Sequence, residues 1–386
     1  MIHHADVLDA LRAMPDSSFH GCLTDPPYGL SFMGHQWDHG VPSAEVWCEV
    51  LRVLRPGAHL LAFGGTRTFH RLTCAIEDAG FEVRDCLMWL YGSGFPKSHD
   101  VSKAIDREAG AVREVVGPNP HARPSDGQTF NAMGAKSHPP LSAPATEAAR
   151  QWEGHGTALK PAWEPIILAR KPLEGTVAQN VQRWGCGALA IDACRVGTTA
   201  DERAVIDRRS GAGRGAMFSH MGREEGERFT SSALGRWPAN VILDEEAGAA
   251  LDAQSGNRRP ERDIPDGKRH GKTSGALGAF EGQPSARKIL GDGGGASRFF
   301  YCAKASKAER GDGNVHPTVK PLALATYLAR LILPPVEGSR LLVPFCGSGS
   351  EMLGGLRAGW SHVEGIDAWD VAVGIARARI SHEATP

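Results

Sequence analysis

Val343-Pro344-Phe345-Cys346-Gly347-Ser348-Gly349-Ser350 is a strand end running into a Gly-rich turn. Arg340 to Val343 reads as the strand, and residues 352–358 read as the helix that follows. Glycines allow a backbone to approach a ligand closely, and a helix N-terminus favours negative charge. Asp367 closes the next strand, His362 to Ile366, and is placed to bind ribose hydroxyls. A dinucleotide site would want a third glycine three residues after Gly349, where Met352 stands, so a nicotinamide or flavin cofactor is disfavoured. Ordinary Gly-rich turns share this spacing, and the surrounding elements must carry the rest.

Outward from the turn the same grammar recurs. Pro321 and Pro334-Pro335 bracket a helix whose Leu324, Tyr327, Leu328, Leu331 and Ile332 form one apolar face. Near the N-terminus, His20 to Thr24 reads as a buried strand ending at Asp25. Residues 43–54 place Trp47, Val50, Leu51 and Leu54 at helical spacing, with Ser43 as N-cap and Gly57 beyond the end. His59 to Phe63 is a strand, Thr68 to Ala79 a helix, and Glu82 to Tyr91 another strand. This alternation implies a parallel sheet covered by helices on both faces. The pattern lapses after about residue 112. Residues 117–150 are rich in Pro, Ala, Ser and Gly and predict a loop. Trp163 to Ala169 reads as a return to the sheet. Residues 171–300 are Gly- and Arg-rich, with one strand–helix piece at Ala239 to Leu243 and Asp244 as its N-cap. Regular alternation resumes near residue 299, so one α/β domain is split around an inserted middle.

Composition narrows the classes. The chain has 386 residues, 41% hydrophobic and 23% charged, enough for a sizeable core and two to three domain-sized units. It opens without a basic segment leading into an apolar run and has no stretch of about 18 apolar residues, so the expectation is a cytoplasmic protein without a membrane span. The eight cysteines form no Cys-x-x-Cys pair, and His35 and His39 lack a third ligand nearby, so no metal is expected. Net charge is −1, yet residues 255–310 hold twelve Lys/Arg against six Asp/Glu. Such a run is either a solvated loop or a phosphate-contacting surface.

Asp25-Pro26-Pro27-Tyr28 sits at the carboxyl end of its strand, where open α/β sheets place ligands. An aromatic exocyclic amine is a poor nucleophile because its lone pair is delocalised. Two acceptors on its hydrogens, the Asp25 carboxylate and the Pro26 carbonyl, would draw the nitrogen toward tetrahedral geometry. Pro26 and Pro27 each bias the preceding residue away from helical dihedrals, which stiffens the segment. Tyr28 offers a ring face for a base, worth about 1–3 kcal/mol. The plain alternative is a proline turn closed by a capping Asp.

Taken together, Asp25-Pro26-Pro27-Tyr28 followed by Phe345-Cys346-Gly347-Ser348-Gly349 resembles the beta-class S-adenosylmethionine-dependent amino-methyltransferases of DNA, the N6-adenine/N4-cytosine family. The resemblance covers about residues 1–100 and 299–370. It implies a Rossmann-like methyltransferase sheet with permuted motif order and an inserted target-recognition region. On this reading residues 1–112 are the catalytic half, 113–156 a flexible Pro/Ala-rich loop, 157–170 a return strand, 171–298 the target-recognition region and 299–386 the cofactor-binding half. Asp25, Pro26, Pro27 and Tyr28 would be catalytic. Asp6 matches the acidic residue that contacts the cofactor adenine, and His316 to Pro321, with Thr318 and Lys320, resembles the segment that closes over its methionine end. Pro344, Phe345, Gly347, Ser348, Gly349 and Asp367 complete the expected S-adenosylmethionine site. Val343 stands where many relatives have Asp, and Ser350-Glu351 where many have Thr, a variant pocket. Arg298, Lys304 and Lys307 are the expected DNA contacts.

The implied reaction methylates a flipped base in double-stranded DNA. Adenine N6 leads, because relatives acting on cytosine N4 more often carry Ser in place of Asp25. An RNA or protein amide substrate and a non-enzymatic DNA-binding module are the further alternatives. A homodimer and a partner restriction nuclease are associations the resemblance allows. Since no cysteine follows a proline, the Pro-Cys dipeptide of cytosine-C5 chemistry is missing.

Overall fold

The computed structural model describes residues 1–30, 40–92, 94, 98–118, 140–200, 202–203, 234–256, 261–262, 289–290, 294–303 and 319–383. The chain begins with β1 (Ile2–His4), α1 (Val7–Arg12), β2 (Phe19–Thr24), α2 (Ala44–Val53), β3 (Leu54–Phe63), α3 (Phe69–Asp78) and β4 (Glu82–Leu90). There follow α4 (Val101–Glu108), β5 (Val115–Gly117), β6 (Leu141–Ser142) and α5 (Glu147–Gln151). Next come β7 (Trp163–Arg170), α6 (Val177–Trp184), β8 (Val241–Asp244), α7 (Glu245–Ser255), β9 (Glu261–Arg262), β10 (Ile289–Leu290) and β11 (Tyr301–Ala303). The C-terminal part is α8 (Leu322–Leu331), β12 (Arg340–Pro344), α9 (Ser350–Ala358), β13 (His362–Asp367) and α10 (Asp370–Glu383).

Among the described residues nine strands form one sheet in the order β1-β13-β12-β2-β3-β7-β4-β8-β11. The last strands of the chain therefore lie beside the first. β12 pairs in parallel with β2 through Leu341 and Gly21, Leu342 and Cys22. From that junction the chain winds outward both ways, through β13 and β1 on one side and β3 on the other. Such a switch point leaves a crevice at the carboxyl ends of the central strands.

Period-two alternation builds two cores. Leu341 and Val343, Leu61 and Phe63, and Ile166 and Leu168 face one cluster, which α8 covers with Leu324, Tyr327 and Leu328. Leu342, Leu60 and Ile167 face the other, covered by α1, α2 and α3. Three glycines set how closely the elements around β12 and β2 pack. A Cβ on Gly354 of α9 would lie 2.6 Å from the Ala325 backbone of α8, and one on Gly355 would lie 2.7 Å from Leu341. One on Gly21 of β2 would lie 2.9 Å from the Trp360 ring.

The sheet departs from the all-parallel expectation at β7, which runs antiparallel to both β3 and β4. The reason is where the chain re-enters: Leu90, at the end of β4, pairs with Trp163, at the start of β7. A strand that returns at the end its predecessor left must run the other way. Residues 171–298, expected as a separate recognition region, contribute β8 to this sheet, parallel to β4 and to β11. Asp244 does cap the helix after β8, accepting from the Ala247 N–H at 2.6 Å.

The chain divides into two units, residues 93–162 and all the rest. Within the smaller unit, the described residues of the expected loop include β5, β6 and α5. They close around Asp106, whose carboxylate accepts from Arg113 (2.7 Å), the Ala145 and Thr146 N–H groups (2.9 and 3.0 Å) and the Thr146 hydroxyl (2.7 Å). Backbone and hydroxyl donors together with Arg113 outweigh burial and bring this carboxyl down to about 2. Among the described residues no helix is long and apolar enough to cross a membrane, and no group of three His, Cys, Asp or Glu could hold a metal ion. His35 and His39 lie outside the described residues.

Candidate active site

Thr24, the last residue of β2, donates its hydroxyl to the Pro344 carbonyl at the end of β12 at 2.6 Å. This bond ties together the two strand ends that carry the motifs. Asp25 and Phe345 are the next residues of their respective strands, so motifs 320 residues apart in sequence flank one crevice.

On the β2 side Asp25, Tyr28, Glu164 and Lys320 form a closed hydrogen-bond set. Lys320 reaches Asp25 Oδ2 at 2.9 Å, Glu164 Oε2 at 3.1 Å and Tyr28 Oη at 3.0 Å. An ammonium has three N–H donors, and each finds an acceptor here. The single hydrogen of the Tyr28 hydroxyl faces Asp25 Oδ1 at 2.8 Å and Glu164 Oε2 at 3.1 Å. The Lys320 side chain is 8% exposed and its Nζ also lies 4.9 Å from the Phe63 ring centroid. Burial alone would lower its pKa, but the Asp25 and Glu164 charges prevail and raise it, so Lys320 stays an ammonium. Burial, then the same two carboxylates, hold the Tyr28 phenol in its protonated form.

On the β12 side the backbone takes three left-handed steps: Phe345 at φ +56°, Gly347 at +48° and Gly349 at +83°. For Phe345 such a conformation costs on the order of 1 kcal/mol or more, and strain of this kind concentrates at functional sites. A Cβ on Gly349 would stand 3.0 Å from Ala376 Cβ of α10, so the turn is closed from behind. Asp367 steadies it, with Oδ2 accepting from the Gly347 N–H at 2.8 Å and Oδ1 from the Trp369 N–H at 2.8 Å. Arg379 of α10 donates to the Ser348 carbonyl at 2.6 Å and to the Ser348 and Ser350 hydroxyls at 3.2 Å. Asp6 follows β1, which pairs with β13 through His4 and Asp367. Its Oδ1 caps α1, accepting from Leu8 N–H at 2.9 Å and Asp9 N–H at 3.3 Å. Asp6, Pro344, Phe345, Gly347, Ser348, Gly349 and Asp367 thus stand at the carboxyl ends of β1, β13 and β12.

Lys320 was expected at the cofactor, and its contacts are with the Asp-Pro-Pro-Tyr segment. Glu164 was missed. Its only signal was one charged residue inside an apolar strand, Trp163-Glu164-Pro165-Ile166-Ile167. Glu351, also missed, is buried in the first turn of α9. Arg298, expected to contact DNA, directs its guanidinium to the Gly294 and Gly295 carbonyls and to Glu202 at 3.3 Å. Thr318, Lys304 and Lys307 lie outside the described residues. Trp89 packs in the core, with the Tyr91 ring 5.0 Å away.

The chain is similar to several known proteins. A Type II methyltransferase of Haemophilus influenzae, M.HindIII, is 21% identical over 233 residues, 48% of this chain and 63% of that protein. The chain therefore spans less than two thirds of the length of that curated relative. Among solved structures, M1.HpyAVI in complex with SAM is 13% identical, covering 98% of each chain, with a TM-score of 0.38. The cytosine-N4-specific PvuII DNA methyltransferase is 11% identical, covering 98% of this chain and 85% of that one, with a TM-score of 0.41. Residues 19–353, most of the chain and both motifs included, match the DNA methylase family of N6/N4 methyltransferases. This chain belongs to that family.

Proposed function

We propose that the protein transfers a methyl group from S-adenosylmethionine to the N6 amino group of an adenine flipped out of duplex DNA. The observation that carries the reading is Asp25, fixed through both carboxylate oxygens at the mouth of the crevice. The residues on the β12 side suit such a cofactor: a left-handed glycine turn, and beyond it the buried Glu351 Oε1 without a partner. Phe345 to Gly349 would hold the methionine end, Asp367 the ribose and Asp6 the adenine. When bound, S-adenosylmethionine supplies an electrophilic methyl group on a sulfonium.

Asp25 accepts a hydrogen bond from the target amine, and the Pro26 carbonyl accepts the second. The nitrogen lone pair so freed would form the new N–C bond as the methyl–sulfur bond breaks, its electron pair staying on sulfur as a neutral thioether, and Asp25 is placed to take the proton the nitrogen then sheds. Lys320 keeps Asp25 oriented, and Tyr28 presents its ring to the base. A role beside a restriction nuclease is part of this proposal; the relative M.HindIII is itself a Type II methyltransferase.

The test is incubation of duplex DNA with the protein and S-adenosylmethionine, followed by digestion to nucleosides and mass spectrometry. N6-methyladenine is expected. N4-methylcytosine would overturn the choice of base, and methylation of RNA or protein alone would overturn the choice of substrate.

A further inference from the structure

We propose that Glu351 is the counter-ion of the methyl donor's positive charge, a neutral acid in the free protein that releases its proton when the sulfonium arrives. The inference rests on the methyl-donor reading above.

Glu351 follows Gly349 by two residues and is 4% exposed. Its Oε1 has neither a hydrogen-bond partner nor solvent. A buried acceptor left in this state needs a ligand or a proton. The charged groups that act on it are Asp25 after β2, Lys320 before α8 and Arg379 on α10. The Cys346 thiol of the turn also senses it, together with Asp367. Lys320 is already shared between Asp25 and Glu164, and Arg379 is bound to Ser348 and Ser350. One more anion beside Asp25 is therefore under-compensated. Burial first, and then the Asp25 charge, raise the Glu351 carboxyl to about 7, against the pull of its own backbone N–H, Lys320 and Arg379.

A cation on the adjoining turn supplies what this cluster lacks. The carboxyl O–H bond then breaks, the proton passes to solvent and the carboxylate remains beside the cation. Nothing is oxidised and no bond forms to the donor. S-adenosylhomocysteine, the product, has the same ammonium and carboxylate but a neutral thioether, and does not draw the proton out.

Linkage fixes the sign. Affinity for S-adenosylmethionine falls as pH drops below about 7, by at most about tenfold per pH unit, while affinity for S-adenosylhomocysteine changes less. Isothermal titration calorimetry of the full chain at about pH 6.5, in buffers of different ionisation enthalpy, counts the protons released by each ligand. The expected result is a release of up to about three quarters of a proton for S-adenosylmethionine, less for S-adenosylhomocysteine, with the difference abolished in Glu351→Gln. Equal release for both ligands in the unaltered protein overturns the proposal without reference to any variant, as does an unchanged difference in a folded Glu351→Gln. Binding of S-adenosylmethionine without differential release leaves the methyl-donor reading standing, whereas no binding at all overturns both.

Discussion

Asp25 divides its two carboxylate oxygens between Tyr28 and Lys320, and this division makes its replacement informative. Asp25→Ala removes the proposed acceptor for the target amine but leaves the turn at Gly347 to Gly349 untouched. Hydrogen bonds to charged groups contribute about 1.5–3 kcal/mol, so turnover should fall at least about tenfold while calorimetric affinity for S-adenosylmethionine persists. Lys320→Met should act differently, because it leaves Asp25 and Glu164 together without their cation. Breaking a buried ion pair costs about 3–5 kcal/mol, which denaturant unfolding near neutral pH would register as a lower midpoint. Glu351 should show the opposite sign. Its pKa is raised from 4.5 to about 7, so the folded chain gains from the protonated form at acid pH and loses that gain as pH rises toward 7. Glu351→Gln mimics the protonated form at every pH. The variant should therefore melt higher than the parent at about pH 8 and close to it at about pH 4.5. An advantage that did not grow with pH would mean that Glu351 is not held as an acid.

At the scale of elements, the site depends on how closely α9 lies against α8. Gly354 has no room for a side chain, since its Cβ would meet the Ala325 backbone at 2.6 Å. Gly354→Val must push the two helices apart, at a cost of about 1–3 kcal/mol in thermal unfolding. It should also lower turnover, because Lys320 stands two residues before α8. The elements flanking the crevice were legible in sequence because their signals are local: β2 and β12 are short apolar runs ended by Asp25 and the Gly-rich turn, and α8 is bracketed by prolines. The antiparallel course of β7 was not legible, because Trp163 to Arg170 would read the same in either direction. Glu164 was hidden for a related reason. Only the pairing of β7 between β3 and β4 brings its carboxylate to Lys320, and no spacing along the chain announces that. Arg298, in the basic stretch, was singled out by charge alone; its guanidinium donates to the Gly294 carbonyl and pairs with Glu202, contacts that no charge count announces.

Across the whole molecule, the chemistry is assigned to residues outside 171–298, while that range differs from the rest in composition. The proposed division of labour is that this middle region selects the DNA sequence and the strand ends at the crevice perform the reaction. The structure adds a constraint on testing it: β8 belongs to the range and is hydrogen-bonded between β4 and β11. Exchanging residues 171–298 with a relative's equivalent therefore replaces a strand of the central sheet, and cooperative thermal unfolding of the chimera must be established first. A folded chimera should bind S-adenosylmethionine with the parent's affinity, since Gly347, Gly349 and Asp367 are retained. Its methylated sites, read by sequencing, should be those of the donor of the exchanged region. The basic excess of residues 255–310 adds a second readout. For every DNA phosphate that the exchange frees or newly neutralises, the slope of log affinity for DNA against log salt should change by about 0.9, whatever the DNA sequence. A chimera that folds, binds the cofactor and takes on a new salt slope yet still methylates the parent's target would assign the 171–298 region to backbone binding alone. Target selection would then have to reside elsewhere, and residues 93–162, a compact unit to which no chemistry is assigned, would be the segment to exchange next.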